Sequence, residues 1–320
     1  MATPTAIINS FFATLSAAFG DRSRRNEPLS EHTTLRLGGP AEVWLAVENV
    51  DELVEVVGLA RRDDIPVFIL GSGANLLVSD AGVRGLVVEN RAIRVDFPPQ
   101  NDGTLGKRVR LGAESGVALP SLARRCAKRG LSGFEWAVGV PGTIGGAVVN
   151  NAGAYGSDMA ANLIRAELLS PAGDRIWQPD EWFEYDYRTS RLKKQAAKAK
   201  WIVLQAELQL VHAPAADVQA RMNEFNERRK ASQPPGATIG SMFKNPPGDF
   251  AGRLIEAAGL KGYRQGQARI SPVHANFFQN LGGATAAEVM TLIQTAREAV
   301  KNRFGIELEL EIEVVGEFKG

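Results

Sequence analysis

The sequence predicts a protein of mixed helices and strands folded into two or three compact units. Three observations point there. The chain has 320 residues, 44% hydrophobic and 23% charged, enough to bury more than one core. Apolar residues recur at both the helical and the strand period. Two glycine-rich loops, GSGAN at 71–75 and GVPGTIGGAVVNNAGAYG at 139–156, punctuate that pattern.

From the N-terminus, TAIINSFFATLSAAFG at 5–20 mixes apolar and polar residues as an amphipathic helix does. No basic stretch precedes it and it is too short to span a bilayer, so a cytoplasmic protein without membrane insertion is expected. Between Asp51 and Arg62 a helical stripe runs through Leu53, Val54, Val57 and Ala60; the strand PVFIL at 66–70 follows and opens into the first glycine loop. Pro120 to Arg129 forms a short helix closed by Gly130, with Leu122 and Cys126 facing inward. WIVLQAELQL at 201–210 has the content of a strand, and Val218, Met222 and Phe225 mark the inward stripe of a new helix. A domain change is expected near 212–217, and short polar connectors near 98–107 and 193–200. Thr285 and Glu288 have capping-box spacing, and Val289, Leu292, Ile293, Ala296 and Val300 carry that helix on. Last, Ile306, Leu308, Leu310, Ile312 and Val314 alternate with Glu307, Glu309, Glu311 and Glu313, which predicts one half-buried strand with a carboxylate face.

Charge and cysteine content remove several functions. Thirty-seven basic and thirty-six acidic residues leave a formal net charge of +1, so no global field favours nucleic acid or an anionic membrane. Cys126 is alone and only His32, His212 and His274 accompany it, which excludes a disulfide framework and speaks against a Cys/His zinc site. The glycine loops remain. Glycine lets main-chain N–H groups approach an anion closely, and two such loops together suggest a dinucleotide, although tight turns alone also use glycine. The Gly-Lys-Ser/Thr ending of a P-loop is absent, and GSGANL lacks the third glycine of a Rossmann turn.

Seven segments, in order along almost the whole chain, resemble the UDP-N-acetylenolpyruvoylglucosamine reductase (UDP-N-acetylmuramate dehydrogenase) family. They are NEPLSEHTTLRLGGPA at 26–41, LGSGANLLVSDAGVRGLVVEN at 70–90, GLSGFEWAVGVPGTIGGAVVNNAGAYGSD at 130–158, EYDYRTSRLK at 184–193, GSMFKNPPGDFAGRLIEAAGLKG at 240–262, GQARISPVHANFFQN at 266–280 and FGIELELEIEVVG at 304–316. The resemblance implies an α+β, vanillyl-alcohol-oxidase/PCMH-like FAD-binding fold of two subdomains with a smaller α+β substrate-binding domain. The boundaries it implies are 1–70 for the first subdomain, with 312–320 returning to it, 71–213 for the second, and 214–311 for the substrate domain.

The same resemblance implies FAD as cofactor, NADPH as co-substrate, and UDP-N-acetylglucosamine enolpyruvate as substrate, within peptidoglycan precursor synthesis. A hydride would pass from NADPH through the flavin to the β-carbon of the enolpyruvyl ether, leaving a carboxylate-stabilised enolate that needs positive charge and a proton donor. Carried onto this chain, the resemblance implies that Arg188 binds the substrate carboxylate and steadies the enolate, Ser241 protonates the α-carbon, and Glu311 assists proton delivery or enolate stabilisation. Periodicity alone places Glu311 on the solvated carboxylate face. FAD contacts fall on Gly71, Ser72, Gly73, Ala74, Asn75, Leu76, Gly139, Pro141, Gly142, Gly145 and Gly146, and substrate contacts on Tyr155, Asn245 and Lys230, with Lys244 a further candidate. By the same resemblance His274 matches a structural or flavin-side position, and Trp136 a packing aromatic.

Departures matter as well. Ser72 and Ala74 interrupt a loop that the family usually writes Gly-Gly-Gly-Ser-Asn; a phosphate donor is lost at 74, Ser72 is a candidate replacement at a position where glycine is common, and a lower FAD affinity is expected. Glu313 stands where arginine is frequent. No tyrosine lies between Tyr187 and Tyr263, so the chain resembles the class that lacks a closing tyrosine loop, with a more open site. A monomer or weak oligomer is expected. The rival readings are an FAD-linked alcohol or sugar oxidase and a non-catalytic flavin or nucleotide-sugar binder.

Overall fold

The computed structural model describes residues 4–99, 104–195 and 200–318. Parts of both expected polar connectors, 100–103 and 196–199, lie outside the described residues.

Helix α1 (Pro4–Phe19) buries Ile8, Phe11 and Leu15, a spacing that keeps them on one stripe. Strands β1 (Ser23–Pro28) and β2 (Pro40–Val47) lead to helix α2 (Val50–Arg62), whose N-cap Asn49 accepts from the Glu52 N–H at 2.9 Å. Its buried stripe is Leu53, Val56, Val57 and Ala60; Val54, expected inward, is half-buried, because it lies about 100° around the helix from Leu53. Strands β3 (Val67–Leu70) and β4 (Leu76–Val78) flank the first glycine loop, and β5 (Val83–Asn90) follows. The sheet order is β1-β2-β5-β3.

Next come β6 (Val95–Asp96), β7 (Arg108–Glu114), helix α3 (Leu119–Ala127) and β8 (Leu131–Ser132). Helix α3 stops two residues before the expected Arg129, because the N–H groups of Arg129 and Gly130 turn back to Cys126 and Ala127 and Gly130 adopts φ +62°. Helix α4 (Ile144–Asn150) grows out of the second glycine loop, ahead of the short strands β9 (Gly153–Ala154) and β10 (Ser157–Asp158). Strands β11 (Leu163–Leu169), β12 (Arg175–Pro179) and β13 (Ile202–His212) precede helix α5 (Ala215–Ser232). The last part holds β14 (Ala237–Ser241), α6 (Ala251–Ala257), β15 (Arg264–Gln265), β16 (Ala268–Ile270), β17 (Phe277–Asn280), α7 (Ala286–Phe304) and β18 (Glu313–Val315).

The chain divides into two compact units. One comprises Met1–Arg22, Leu45–Gly71 and Val88–Arg229; the other comprises Ser23–Trp44, Ser72–Val87 and Lys230–Gly320. In the first unit an antiparallel sheet runs β12-β11-β13-β7-β6, with β8 pairing β13. Strand β13 buries alternate residues, among them Ala206, Leu208 and Leu210, and these pack with Leu122, Ala123 and Cys126 of α3 and Ile144, Ala147 and Val148 of α4. Burial pushes the Cys126 thiol up to about 12, so it is an inert core residue.

In the second unit the sheet order is β14-β17-β16-β15, and Ile239, Ile270 and Phe278 share a core with Val289, Leu292, Ile293, Ala296 and Val300 of α7. That helix starts at the expected capping box, with both reciprocal bonds of Thr285 and Glu288 made. Phe278 is fully buried and meets Phe243 edge to face at 6.1 Å. Phe278→Ala is therefore expected to cost about 3–5 kcal/mol, seen as a lower urea midpoint with an unchanged m value.

The C-terminal strand is shorter than its periodicity predicts. Only Glu313–Val315 pairs regularly, in parallel with Leu76–Val78, whereas Leu310 makes an isolated bridge to Phe243. The backbone changes partner at Glu311: its N–H donates to the Met242 carbonyl at 3.0 Å, while the Glu313 N–H donates to the Asn75 carbonyl at 2.9 Å. Glu307, Glu309 and Glu313 are exposed as expected, but Glu311 is half-buried.

Candidate active site

The first glycine loop links β3 to β4 through a turn. Gly73 must be glycine: its φ is +61°, and a β-carbon there would lie 2.2 Å from the His32 carbonyl oxygen. The Thr34 N–H anchors the turn on the Gly73 carbonyl at 3.1 Å. Among the described residues, the N–H groups of Ser72, Gly73 and Ala74 meet no protein acceptor. A run of main-chain amides without a protein acceptor is the kind of group that suits a diphosphate. At the start of the loop, Gly71 stands close enough to Thr143 that an added β-carbon would meet its Oγ1 at 2.7 Å. Thr143 caps α4 by accepting from the Gly146 N–H, and the Gly145 N–H donates to Ser115, so the second loop is held firmly.

The YDYRTS segment is stitched along residues 148–151, at the end of α4. Tyr185 donates its hydroxyl to the Val148 carbonyl at 2.9 Å, Ser190 donates to Val149 at 2.5 Å, and Asn151 Nδ2 donates to the Asp186 carbonyl at 3.1 Å. Burial raises the Tyr185 phenol far above its ordinary range, so it stays a donor. Arg188 is thereby placed with Nη2 on the Gly153 carbonyl at 2.5 Å and Nη1 on the Asn151 carbonyl at 3.4 Å. Its φ is +54°, and Tyr155 two residues past Gly153 has φ +55°. Left-handed backbone at an arginine and a tyrosine stores strain, of the kind that collects at functional sites.

In the second unit, Ser241 ends β14 after Gly240 at φ +83°, where the register against β17 slips. The next residue, Met242, receives the Glu311 N–H, and the Glu311 carbonyl accepts from Asn75 Nδ2 at 3.2 Å. Ser241, Glu311 and the first glycine loop are thus brought together by main-chain bonds. Asn245 caps the start of α6 through the Ala251 N–H at 3.1 Å, and Lys244 pairs with Glu309 at 2.5 Å. His274 is half-buried; its Nδ1 accepts from the Asn276 N–H at 3.2 Å, so the ring proton sits on Nε2. Burial holds the His274 pKa below its ordinary value. A depressed folded-state pKa contributes stability above the unfolded value and loses it as pH falls through the folded one. Native stability is accordingly expected to fall as pH drops below about 6.5 by an increment absent in His274→Gln, measured by urea melts at descending pH. Trp136 is buried with Nε1 on Asn162 at 2.9 Å, a packing role.

Two models of known families match, one described as "FAD binding domain" over residues 41–177 and one as "UDP-N-acetylenolpyruvoylglucosamine reductase, C-terminal domain" over 231–315. A UDP-N-acetylenolpyruvoylglucosamine reductase of Chloroflexus aggregans is 43% identical over 91% of this chain and 97% of its own length. The chain belongs to the UDP-N-acetylenolpyruvoylglucosamine reductase family. A second relative carrying that name, from Symbiobacterium thermophilum, is 45% identical over 92% of both chains. The crystal structure of the reductase from Thermus caldophilus superposes with a TM-score of 0.73 at 36% identity, covering 90% of this chain and 97% of that one.

As a member of this reductase family the chain is an oxidoreductase built on an FAD-binding domain, and the expected α+β flavoprotein fold is borne out. The amides of Ser72, Gly73 and Ala74, which meet no protein acceptor among the described residues, are donors of the kind a diphosphate such as that of FAD requires. Of the expected catalytic residues, Ser241 and Glu311 belong to the second unit and Arg188 to the first. Lys230 is exposed. Its neighbour Arg229, which no motif singled out, lies half-buried against Gly139. Two clefts, of about 290 Å³ beside Asp51 and Arg175 and about 620 Å³ beside Lys128 and His212, contain none of the expected site residues. In the first unit the expected residues lie on the second glycine loop and YDYRTS, and in the second unit on residues 72–76, GSMFKNP and Glu311. No helix among the described residues is long and apolar enough to cross a membrane.

Proposed function

We propose that this chain reduces the enolpyruvyl ether of UDP-N-acetylglucosamine to UDP-N-acetylmuramate with electrons from NADPH, as a cytoplasmic step of peptidoglycan precursor synthesis. The observation that carries the reading is the backbone junction at Glu311, which joins the GSMFKNP motif to the first glycine loop and leaves Glu311 half-buried where Glu307, Glu309 and Glu313 are exposed. FAD, when bound, supplies a hydride acceptor for NADPH and a hydride donor for the substrate β-carbon. Residues 1–70 and 71–213 serve the flavin in this proposal, 214–311 the substrate.

The chain's own side chains then act on the other end of the double bond. Arg188 offers a planar, permanently charged fork to the substrate carboxylate, and its two carbonyl bonds fix that plane without neutralising it, since carbonyls carry no net charge. As negative charge spreads from the α-carbon onto the carboxylate, this cation binds the transition state better than the ground state. Ser241 passes a proton from Oγ to the α-carbon. A serine hydroxyl is a weak acid, so Glu311 assists by ordering the donor or a relaying water. Tyr155 and Asn245 shape the substrate contacts, and Lys230 remains a candidate for the diphosphate.

The test is steady-state oxidation of NADPH without oxygen. The proposal requires consumption that depends on UDP-N-acetylglucosamine enolpyruvate and a product heavier by two hydrogens. NADPH oxidation that proceeds only with oxygen would replace the reading with an oxidase.

A further inference from the structure

Along α5 the inward residues Val218, Met222 and Phe225 are followed, at the next helical step of four, by Arg229. There the helix meets the second glycine loop. A β-carbon added to Gly139 would lie 2.5 Å from Arg229 Cδ and 3.4 Å from its Nε, so the arginine stem lies against the main chain of GVPG at a position with no side chain. Tyr155 stands beside it. The tyrosine ring stacks on Phe225 with centroids 4.4 Å apart and planes 4° from parallel, its hydroxyl donates to the Phe225 carbonyl at 2.9 Å, and the same hydroxyl is hydrogen-bonded to Arg229. Burial pulls the Arg229 pKa below the ordinary guanidinium value, yet a guanidinium stays charged at any physiological pH. The strained backbone of Tyr155, the side chain that α5 stacks against, and the missing side chain at 139 all converge on this one cation.

We propose that Arg229, oriented by Tyr155 and laid across Gly139, is a diphosphate-binding residue of the site. The inference rests on the function proposed above and deepens it by naming which cation receives the charge of a nucleotide diphosphate. A planar fork can donate two parallel N–H groups to phosphate oxygens, and a cation already partly desolvated and oriented loses little more on binding. Lys230 is about 100° further round α5 and exposed, with a flexible stem and a single ammonium to offer. Both the cofactor and the proposed substrate carry a diphosphate, and the measurement separates them.

Two dissociation constants are measured, that of FAD for apoprotein by fluorescence quenching and that of UDP for FAD-loaded protein by its effect on the flavin absorbance. Losing a charge-assisted hydrogen-bond donor, Arg229→Gln is expected to raise one of them about 10- to 100-fold, with Arg229→Lys recovering part of the loss. A rise for FAD assigns the residue to the cofactor; a rise for UDP assigns it to the substrate. Gly139→Ala, which drives a methyl group into the arginine stem, should weaken the same constant and add little in the double variant. Both constants within twofold of wild type in Arg229→Gln would overturn the proposal. Should Arg229→Gln not fold, Tyr155→Phe decides, since it deletes only the hydroxyl: about threefold or more weakening supports the role, and unchanged constants overturn it. Wild-type protein that binds neither ligand would remove the proposed function itself, whereas wild type binding both with Arg229→Gln unaffected would remove this inference alone.

Discussion

Exchanging Arg188 for methionine is expected to leave reduction of the flavin by NADPH within a few-fold of wild type while slowing its reoxidation by substrate by about 10²–10³-fold. The difference between the two half-reactions follows from where charge develops. In the proposed reaction the flavin is reduced before the substrate enters, so that transfer places no new charge on the substrate carboxylate. Its second transfer does, and the guanidinium tethered on the Gly153 and Asn151 carbonyls is the proposed partner for that charge. Lysine at 188 should recover only part, since a point charge cannot reproduce a planar fork or its two carbonyl tethers. Stopped-flow absorbance of each half-reaction reads the split. Equal slowing of both would make Arg188 a structural clamp for the loop it is stitched to.

Ser241→Ala is expected to show the same asymmetry with a different cause, slowing substrate reduction about 10²–10⁴-fold through the loss of a proton donor. The hydroxyl sits at the slipped register after Gly240, and its neighbour Met242 is bonded to Glu311, so removing one oxygen should disturb no packing. Thermal stability should therefore stay near wild type. A solvent deuterium isotope effect on substrate reduction, present in wild type and changed in the variant, is the companion readout. Loss of both half-reactions together would take Ser241 out of the proton-donating role.

Local chemistry made much of the fold readable. The capping box at Thr285, the eleven-residue run β13 and the stripe of α7 are each written in a few adjacent residues, and each appears where its pattern places it. Boundaries set by tertiary partners were not readable. Alternation from Ile306 to Val314 reports exposure faithfully as far as Leu310, yet it contains nothing about the exchange of partner from Met242 to Asn75 that ends the ladder and tucks Glu311 inward. The site shows the same division. YDYRTS and GSMFKNP could be recognised as motifs, but their stitching to residues 148–153 and to 311 depends on which loops meet. Arg229 was within reach of periodicity: extending the stripe from Val218 through Phe225 by four residues lands on it, one position before the lysine that attracted attention.

The most direct measurement separates the half-reactions in the purified protein without oxygen. One equivalent of NADPH should bleach a bound flavin, and, after free nucleotide is removed, one equivalent of UDP-N-acetylglucosamine enolpyruvate should restore the yellow absorbance stoichiometrically. A flavin that NADPH bleaches but only oxygen recolours, or a protein that holds no flavin when supplied with FAD, would contradict the proposed reduction.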